Sequence, residues 1–392
     1  MARVVLKSGR AKPLWHGHPW AYSEAIARME GSAEPGDVVD VVDSADRFIG
    51  RGYWNPRSQI RVRMVTRRDE PVDDALIARR LAAAHALRTR LGLPRADTTA
   101  YRLVNSEGDG LPGLVVDVYG DAAVVQFTAL GLKRREEVVY GALDQLLAPR
   151  TLFEASAGGF ASVEGFEAQP RLLRGQPRPH VPCLENGIAL EIQPLSGQKT
   201  GAYLDQRENR RRVGALARGA RVLDCYTYVG GFALAALAGG AESARAVDVS
   251  PHALERAQAH AALNRLRGLE TVESDVFRFL EAAAPRSYDL VVLDPPKFAR
   301  ARKDVEAALK GYRRLNALAL QVCAPDALLA TSSCSQLVGL EEFERMLAAA
   351  ALDAGRRIQV LETAAMGPDH PLPAAFAEGR YLKFALCRVT DL

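Results

Sequence analysis

Nowhere in the 392 residues does an apolar run approach the roughly 18 residues that a membrane-spanning helix requires. A helical membrane protein is excluded, and a membrane is not expected among the partners. No secretory leader is expected either. Met1-Ala2-Arg3-Val4-Val5-Leu6-Lys7 alternates apolar and basic residues as a strand does, without an apolar segment or a small-residue cleavage site, so a cytoplasmic location is expected. Cysteine is scarce. Cys183, Cys225, Cys323, Cys334 and Cys387 are scattered, odd in number and in no CxxC pair, which excludes a disulfide framework and a zinc site and leaves at least one thiol free. His16 and His18 have no third ligand nearby, and no metal is expected. Charge of one sign is also lacking: 51 Lys and Arg face 47 Asp and Glu, for a net +4. Such a balance permits a polyanionic partner without demanding one.

What is present is globular in composition, with 48% hydrophobic and 25% charged residues, and long enough for two or three domains. Residues 1–70 read as short strands, including Val38–Val42 and Ile60–Val65 around turns at Pro35-Gly36-Asp37 and Asn55-Pro56, and predict a small β-barrel-like module. Residues 71–185 predict an α+β domain. Its helices span Val72–Leu91 and Lys133–Leu147, and its hairpin joins Leu114–Val118 to Ala122–Phe127 across Tyr119-Gly120-Asp121. The Pro-rich basic stretch Arg174–Pro182 reads as a linker or exposed loop. Residues 186–392 form the last domain. Strands at Arg221–Asp224, Ala244–Val249, Glu270–Glu273, Asp289–Leu293 and Ala327–Thr331 alternate with helical segments there, which predicts a doubly wound parallel sheet. Ile358–Leu361 and Tyr381–Cys387 have no long helix between them and are expected to pair as an antiparallel edge.

Ligands of such sheets bind beyond the carboxyl ends of the strands, and the candidate residues lie there. Leu223-Asp224-Cys225-Tyr226-Thr227-Tyr228-Val229-Gly230-Gly231-Phe232 places strand, glycine turn and helix in order. Asp248 ends the next strand, where a carboxylate accepts from ribose hydroxyls, and Asp275 after the third is placed for an adenine amine. The turn lacks GxGxxG, so a pyrophosphate cradle is not evident, and a nucleoside without phosphates fits better. An acidic cleft suits a sulfonium cofactor, S-adenosylmethionine.

Asp294-Pro295-Pro296-Lys297-Phe298 closes the fourth strand. Its prolines remove two N–H donors, leaving carbonyls and a carboxylate to meet the amine edge of a base, with Phe298 expected to stack on it. Thr331-Ser332-Ser333-Cys334-Ser335 ends the strand beside it. A lone cysteine is by default an inert buried thiol, but four small polar neighbours make a poor core. Cytosine C5 is too weak a nucleophile to take a methyl group directly. Thiolate addition at C6 generates an enamine-like carbon at C5, and Cys334 has the chemistry for that attack, with Asp294 holding the base.

Gln198-Lys199-Thr200-Gly201-Ala202-Tyr203-Leu204-Asp205-Gln206-Arg207, the Gly230-Gly231-Phe232 turn, Asp294-Pro295-Pro296-Lys297-Phe298 and Ser333-Cys334-Ser335 together resemble the RlmI-type family of 23S ribosomal RNA cytosine-5 methyltransferases. Gly17-His18-Pro19-Trp20-Ala21-Tyr22 resembles the opening of that family's PUA RNA-binding domain, so the likeness covers essentially the whole chain. It implies a PUA domain, a small central domain and a seven-stranded class I methyltransferase sheet acting on ribosomal RNA of the large subunit or its assembly intermediate. It also places Tyr203, Asp205 and Arg207, with Tyr226, against the cofactor. Many RNA cytosine-5 methyltransferases carry a second cysteine beside the fourth-strand proline motif; here Asp294 stands there, and the base that removes the C5 proton is unassigned.

Basic residues gather at Arg207, Arg210, Arg211 and Arg212, at Lys297, Arg300, Arg302 and Lys303, and at Arg61, Arg63, Arg67 and Arg68; the second cluster follows the reaction centre and is the better candidate for RNA phosphates. Trp15, Trp20, His16 and His18 either stack on RNA or pack the first module. Two alternatives stay open: a methyltransferase for a base nitrogen of guanine or adenine, with Cys334 incidental, and a non-catalytic ribosome-assembly factor that keeps the fold. A homodimer is compatible with the sequence.

Overall fold

A computed structural model describes residues 1–392 other than Ala157, Ser196, Gln198, Lys199 and Arg300. The chain divides into two compact units. One comprises Met1–Leu184, Glu191–Leu204 and Pro368–Ala377, the other Glu185–Leu190, Asp205–Gly367 and Glu378–Leu392.

Among the described residues the first unit is built on a six-stranded and a five-stranded sheet. Six strands lie in the order Trp20–Tyr22, Ile60–Thr66, Phe48–Trp54, Val38–Val42, Arg3–Leu6 and Ile26–Glu30. All neighbours are antiparallel except Arg3–Leu6 beside Val38–Val42. Alternate residues Val4, Leu6, Val39, Val41, Val62 and Met64 fill the interior, as a period of two requires. The second sheet runs Arg171–Arg174, Thr151–Glu154, Ala122–Phe127, Leu114–Tyr119, Ala100–Asn105. Helices Asp74–Arg90 and Glu136–Leu147 share its core through Ile77, Leu81, Val139 and Leu143. Asp73 accepts from the Leu76 amide and starts the first helix, as an acidic N-cap does. The hairpin forms as expected, Tyr119 facing Ala122. The helix expected over Lys133–Leu147 is instead two pieces, Leu130–Lys133 and Glu136–Leu147, because Arg135 takes a non-helical N-cap conformation. The Arg174–Pro182 stretch is less extended as a linker than expected, since a strand, Val181–Glu185, begins within it.

The second unit is built on α1 (Arg207–Leu216), β1 (Arg221–Cys225), α2 (Gly231–Ala238), β2 (Ser243–Asp248), α3 (Pro251–Leu263), β3 (Leu269–Glu273), α4 (Val276–Ala282), β4 (Tyr288–Leu293), α5 (Val305–Val322), β5 (Cys323–Ser333), α6 (Leu340–Asp353), β6 (Arg356–Ala364) and β7 (Lys383–Asp391). The seven strands lie in the order β3-β2-β1-β4-β5-β7-β6. β1 to β5 are parallel, and β7 enters antiparallel between β5 and β6, which confirms the expected antiparallel edge. Successive residues of each strand serve opposite faces. Leu223, Cys225, Val291 and Leu329 pack with Tyr312, Phe343 and Met346 of α5 and α6, whereas Val222, Leu290, Val292 and Ala330 pack with Val213, Phe232 and Ala233 of α1 and α2. Both faces are therefore covered, as a parallel sheet demands. Ligands of such sheets bind beyond the carboxyl ends of the strands, which for the first, second, fourth and fifth are Cys225, Asp248, Leu293 and Ser333.

Candidate active site

The turn from β1 to α2 is strained in a specific way. Tyr226 and Tyr228 are left-handed, at φ 61° and 51°, followed by Gly230 at φ 86°. Two bulky residues in that region are costly and persist only where the surroundings impose them, a pattern concentrated at functional sites. The imposing contacts are visible. Asp224, fully buried, accepts from the Thr227 hydroxyl at 2.6 Å and the Ala233 amide at 2.9 Å, bracing the turn from beneath. The Tyr228 amide donates to Asp248 Oδ2 at 2.9 Å, and the Ser250 amide to Oδ1 at 3.0 Å, fixing the carboxylate at the end of β2. A Cβ on Gly230 would lie 2.9 Å from that of Ala257 on α3, so only glycine lets the turn close on that helix. Tyr228 was not singled out from sequence, since nothing about a tyrosine signals a positive φ.

Burial, reinforced by the charges of Asp294 and Asp248, raises the Asp224 carboxyl to about 7 against the opposing pull of Thr227 and Ala233. Its Oδ1 is buried with no hydrogen-bond partner among the described residues. An orphaned acceptor beside a glycine turn, with a ribose-type carboxylate on the next strand, fits a nucleoside carrying a cationic amino acid end. Asp275 is exposed and caps α4 by accepting from the Arg278 amide at 3.1 Å.

At β4 and β5 the predicted residues converge. Gln206 Nε2 donates to Asp294 Oδ1 at 2.8 Å and to Ser332 Oγ at 3.1 Å, while Asn209 Nδ2 donates to Gln206 Oε1 at 2.6 Å and sets the amide's orientation. Gln206 therefore ties the fourth strand's carboxylate to the fifth strand. The Cys334 thiol lies 3.8 Å from the carbonyl oxygen of Pro295, within reach of a weak S–H donation. Cys334 is half-buried, while the other four cysteines are buried. Burial pushes the thiols of Cys323 and Cys387 up to about 12 and that of Cys225 well above its ordinary range, so these are inert. Pro295 is buried, Pro296 and Lys297 exposed. Phe298 differs from expectation: its ring stacks on Tyr312 at 4.5 Å between centroids, so one face is already committed to α5. The Tyr312 hydroxyl in turn shares a 2.9 Å hydrogen bond with Ser335.

Other predicted residues divide. Asp205 accepts from the Tyr381 hydroxyl at 2.6 Å, and Arg207 is buried at the head of α1. Tyr203 is half-buried in the first unit, and Gln198 and Lys199 lie outside the described residues, as does Arg300. The basic run on α1 is not one surface. Arg210 is buried and holds Glu185 with both arms, at 2.5 and 2.7 Å, and Arg212 pairs with Glu362. Lys297, Arg302 and Lys303 are exposed, as a phosphate-contacting group must be. Within the first unit, Arg63 pairs with Glu107 and Glu164, and Trp20 donates to Glu107 at 2.7 Å and packs on Phe376, which accounts for both as structure. Trp15 is exposed.

Comparison with known proteins gives the family and the fold. A PUA-like domain family matches residues 4–67, and the S-adenosylmethionine-dependent methyltransferase family matches residues 155–379. The ribosomal RNA large subunit methyltransferase I of Alteromonas mediterranea is 40% identical over 100% of this chain and 99% of its own length. The protein of the same name from Tolumonas auensis is 40% identical, over 98% of each chain. Two solved structures share the fold: the methyltransferase SMU.776 complexed with SAH, at TM-score 0.86 and 23% identity, and a SAM-dependent methyltransferase from Streptococcus mutans, at TM-score 0.85 and 22% identity. Both cover 99% of this chain and 100% of theirs.

Proposed function

Since the chain belongs to the ribosomal RNA large subunit methyltransferase I family, we propose that it methylates C5 of a cytosine in 23S ribosomal RNA through a covalent adduct on Cys334. The observation that carries this reading is the pairing of the half-buried Cys334 at the end of β5 with Asp294-Pro295-Pro296 at the end of β4, in a protein whose remaining thiols are buried.

S-adenosylmethionine, when bound, supplies an electrophilic methyl group. Asp224, Asp248, Gly230 and Gly231, with Phe232, would hold it, and Asp205, Arg207, Tyr226 and Asp275 of the same unit would complete its surroundings. Asp294, oriented by Gln206, accepts from the cytosine amine and supports the charge that moves onto the ring. The Cys334 thiolate adds to C6, which turns C5 into the nucleophile. Once C5 carries the methyl group, loss of its proton, to a base not assigned to any residue, restores the ring double bond and expels the thiolate. Pro295 and Pro296 shape the base edge, and Lys297, Arg302 and Lys303 hold phosphates. In this reading residues 1–70, within which the PUA-like family matches residues 4–67, supply RNA binding, residues 71–185 are the central domain and residues 186–392 the catalytic one. Such a substrate places the protein in the cytoplasm, and no helix among the described residues is long and apolar enough to cross a membrane.

The test is Cys334→Ala, with methyl transfer to large-subunit RNA measured and the modified atom mapped by nucleoside mass spectrometry. Loss of 5-methylcytidine by a factor of at least about 10³ is expected for a missing nucleophile. Retained transfer, or methylation at a nitrogen, overturns the reading.

A further inference from the structure

Lys383 was not among the residues singled out in the sequence, yet the fold delivers it to the reaction centre. It opens β7, the strand inserted between β5 and β6, and its register partner on β5 is Ser333. Its ammonium donates to the carbonyl oxygen of Ser335 at 2.6 Å and to that of Tyr381 at 2.7 Å. The strand pairing and the side-chain bond thus grip the residues on either side of Cys334. The side chain is only 5% exposed.

A buried ammonium is expensive, and among the described residues no carboxylate forms an ion pair with Lys383. Two carbonyl acceptors satisfy its hydrogen bonds without neutralising its charge. The titratable groups that act on it are Cys334, Glu342 and Lys297. Glu342 is engaged by the Gly339 amide at 2.8 Å, Lys297 is a like charge, Tyr381 donates its hydroxyl to Asp205, and Tyr312 donates to or accepts from Ser335. The anion that would complete the arrangement is therefore a thiolate at Cys334.

We propose that Lys383 is a positioning residue that sets Cys334 in its thiolate form, an assignment that rests on the covalent reading of Cys334. The S–H bond of Cys334 breaks, its proton forms an N–H bond on the neutral amine of Lys383, and the electron pair stays on sulfur, with no further reactant. The ammonium so formed then holds the sulfur anion until it adds to the pyrimidine. Burial, the main influence, brings the Lys383 amine down to about 8, with Lys297 acting in the same direction, so the neutral form is accessible near neutral pH. A nearby cation is the common device for lowering a cysteine pKa, and Lys383 supplies one beside Cys334.

The experiment is alkylation of the full-length protein by iodoacetamide between pH 5.5 and 9.5, with modification at Cys334 quantified by mass spectrometry in the wild type, Lys383→Met and Lys383→Arg. The wild-type midpoint should fall at least a unit below the ordinary thiol value of about 8.5. Lys383→Met should raise it by about one unit or more and slow alkylation at pH 7 about tenfold, whereas Lys383→Arg, which keeps the cation, should stay near the wild type. A wild-type midpoint at or above the ordinary value overturns the proposal on its own, even if the Met variant does not fold. An unchanged midpoint in a folded Met variant that still binds S-adenosylmethionine in calorimetry does the same. Because alkylation reads the thiol and not methyl transfer, activity retained by Cys334→Ala would remove the covalent reading without imitating either result.

Discussion

The side-chain amide of Gln206 bridges Asp294 and Ser332, at 2.8 and 3.1 Å, and so joins the ends of two neighbouring strands through one residue preceding α1. A carboxylate positioned by a fixed donor needs no reorganisation when charge develops on the base it holds. Gln206→Ala should lower kcat for RNA methylation by about 10–100-fold while leaving the KM for S-adenosylmethionine within about threefold. Steady-state kinetics decide it: equal loss in both parameters would mean that Gln206 serves the cofactor, not Asp294.

Gly230 combines a left-handed backbone with a close approach to Ala257. Gly230→Ala faces both penalties, about 1–2 kcal/mol for the conformation alone. The unfolding midpoint should fall accordingly, and affinity for S-adenosylmethionine in calorimetry should drop at least tenfold as the turn is pushed off α3. Unchanged affinity would mean that the turn does not touch the cofactor.

How much of this was legible beforehand follows from which interactions are local. The βα alternation, the β1 turn and the proline motif were readable because each is written in consecutive residues with its own stereochemistry. The antiparallel final strands were also foreseen, from the lack of a helix between them. Lys383 and Gln206 were not. Their roles depend on β7 threading between β5 and β6 and on α1 packing against the sheet, and no short window records such long-range register. Arg210 failed in the opposite direction. A run of arginines reads as a basic surface, yet Glu185, distant in sequence, takes Arg210 into the interior. Phe298 was read as a stacking platform for a base, and it does stack, but on Tyr312 of α5.

Asp224 makes a pH signature. Its folded value of about 7 lies above the ordinary carboxyl value of about 3.9, so across that window the folded state holds a proton that the unfolded chain has released. Its contribution to stability is thus fully present below pH 4, is lost as the pH rises toward 7, and is flat above. Asp224→Asn keeps an acceptor for Thr227 and Ala233 but cannot titrate. Calorimetric unfolding of the two proteins between pH 4.5 and 8 should show the wild type losing stability relative to the variant, by at most about 4 kcal/mol for a shift of this size. Parallel curves would show that the carboxyl is not proton-loaded in the folded state.

In the first unit the decisive side chain is Arg88, which is fully buried and holds Asp109 with both arms at 2.5 and 2.8 Å. Its guanidinium also donates to the carbonyl oxygens of Arg102 at 2.8 Å and Asp369 at 2.7 Å, binding the Pro368–Ala377 segment to a helix nearly 300 residues earlier. Arg88→Met removes the cation and leaves the Asp109 carboxylate buried beside unpaired carbonyls, an imbalance that typically costs about 3–5 kcal/mol. All three tryptophans, Trp15, Trp20 and Trp54, lie in this unit, so intrinsic fluorescence reports its unfolding. The double variant Arg88→Met with Asp109→Leu should recover part of the loss, because the stranded charge is then gone even though the carbonyls stay unpaired. A double variant as unstable as the sum of the two single variants would show that the pair contributes by independent packing, and that the charge balance at Asp109 is not what the buried arginine maintains.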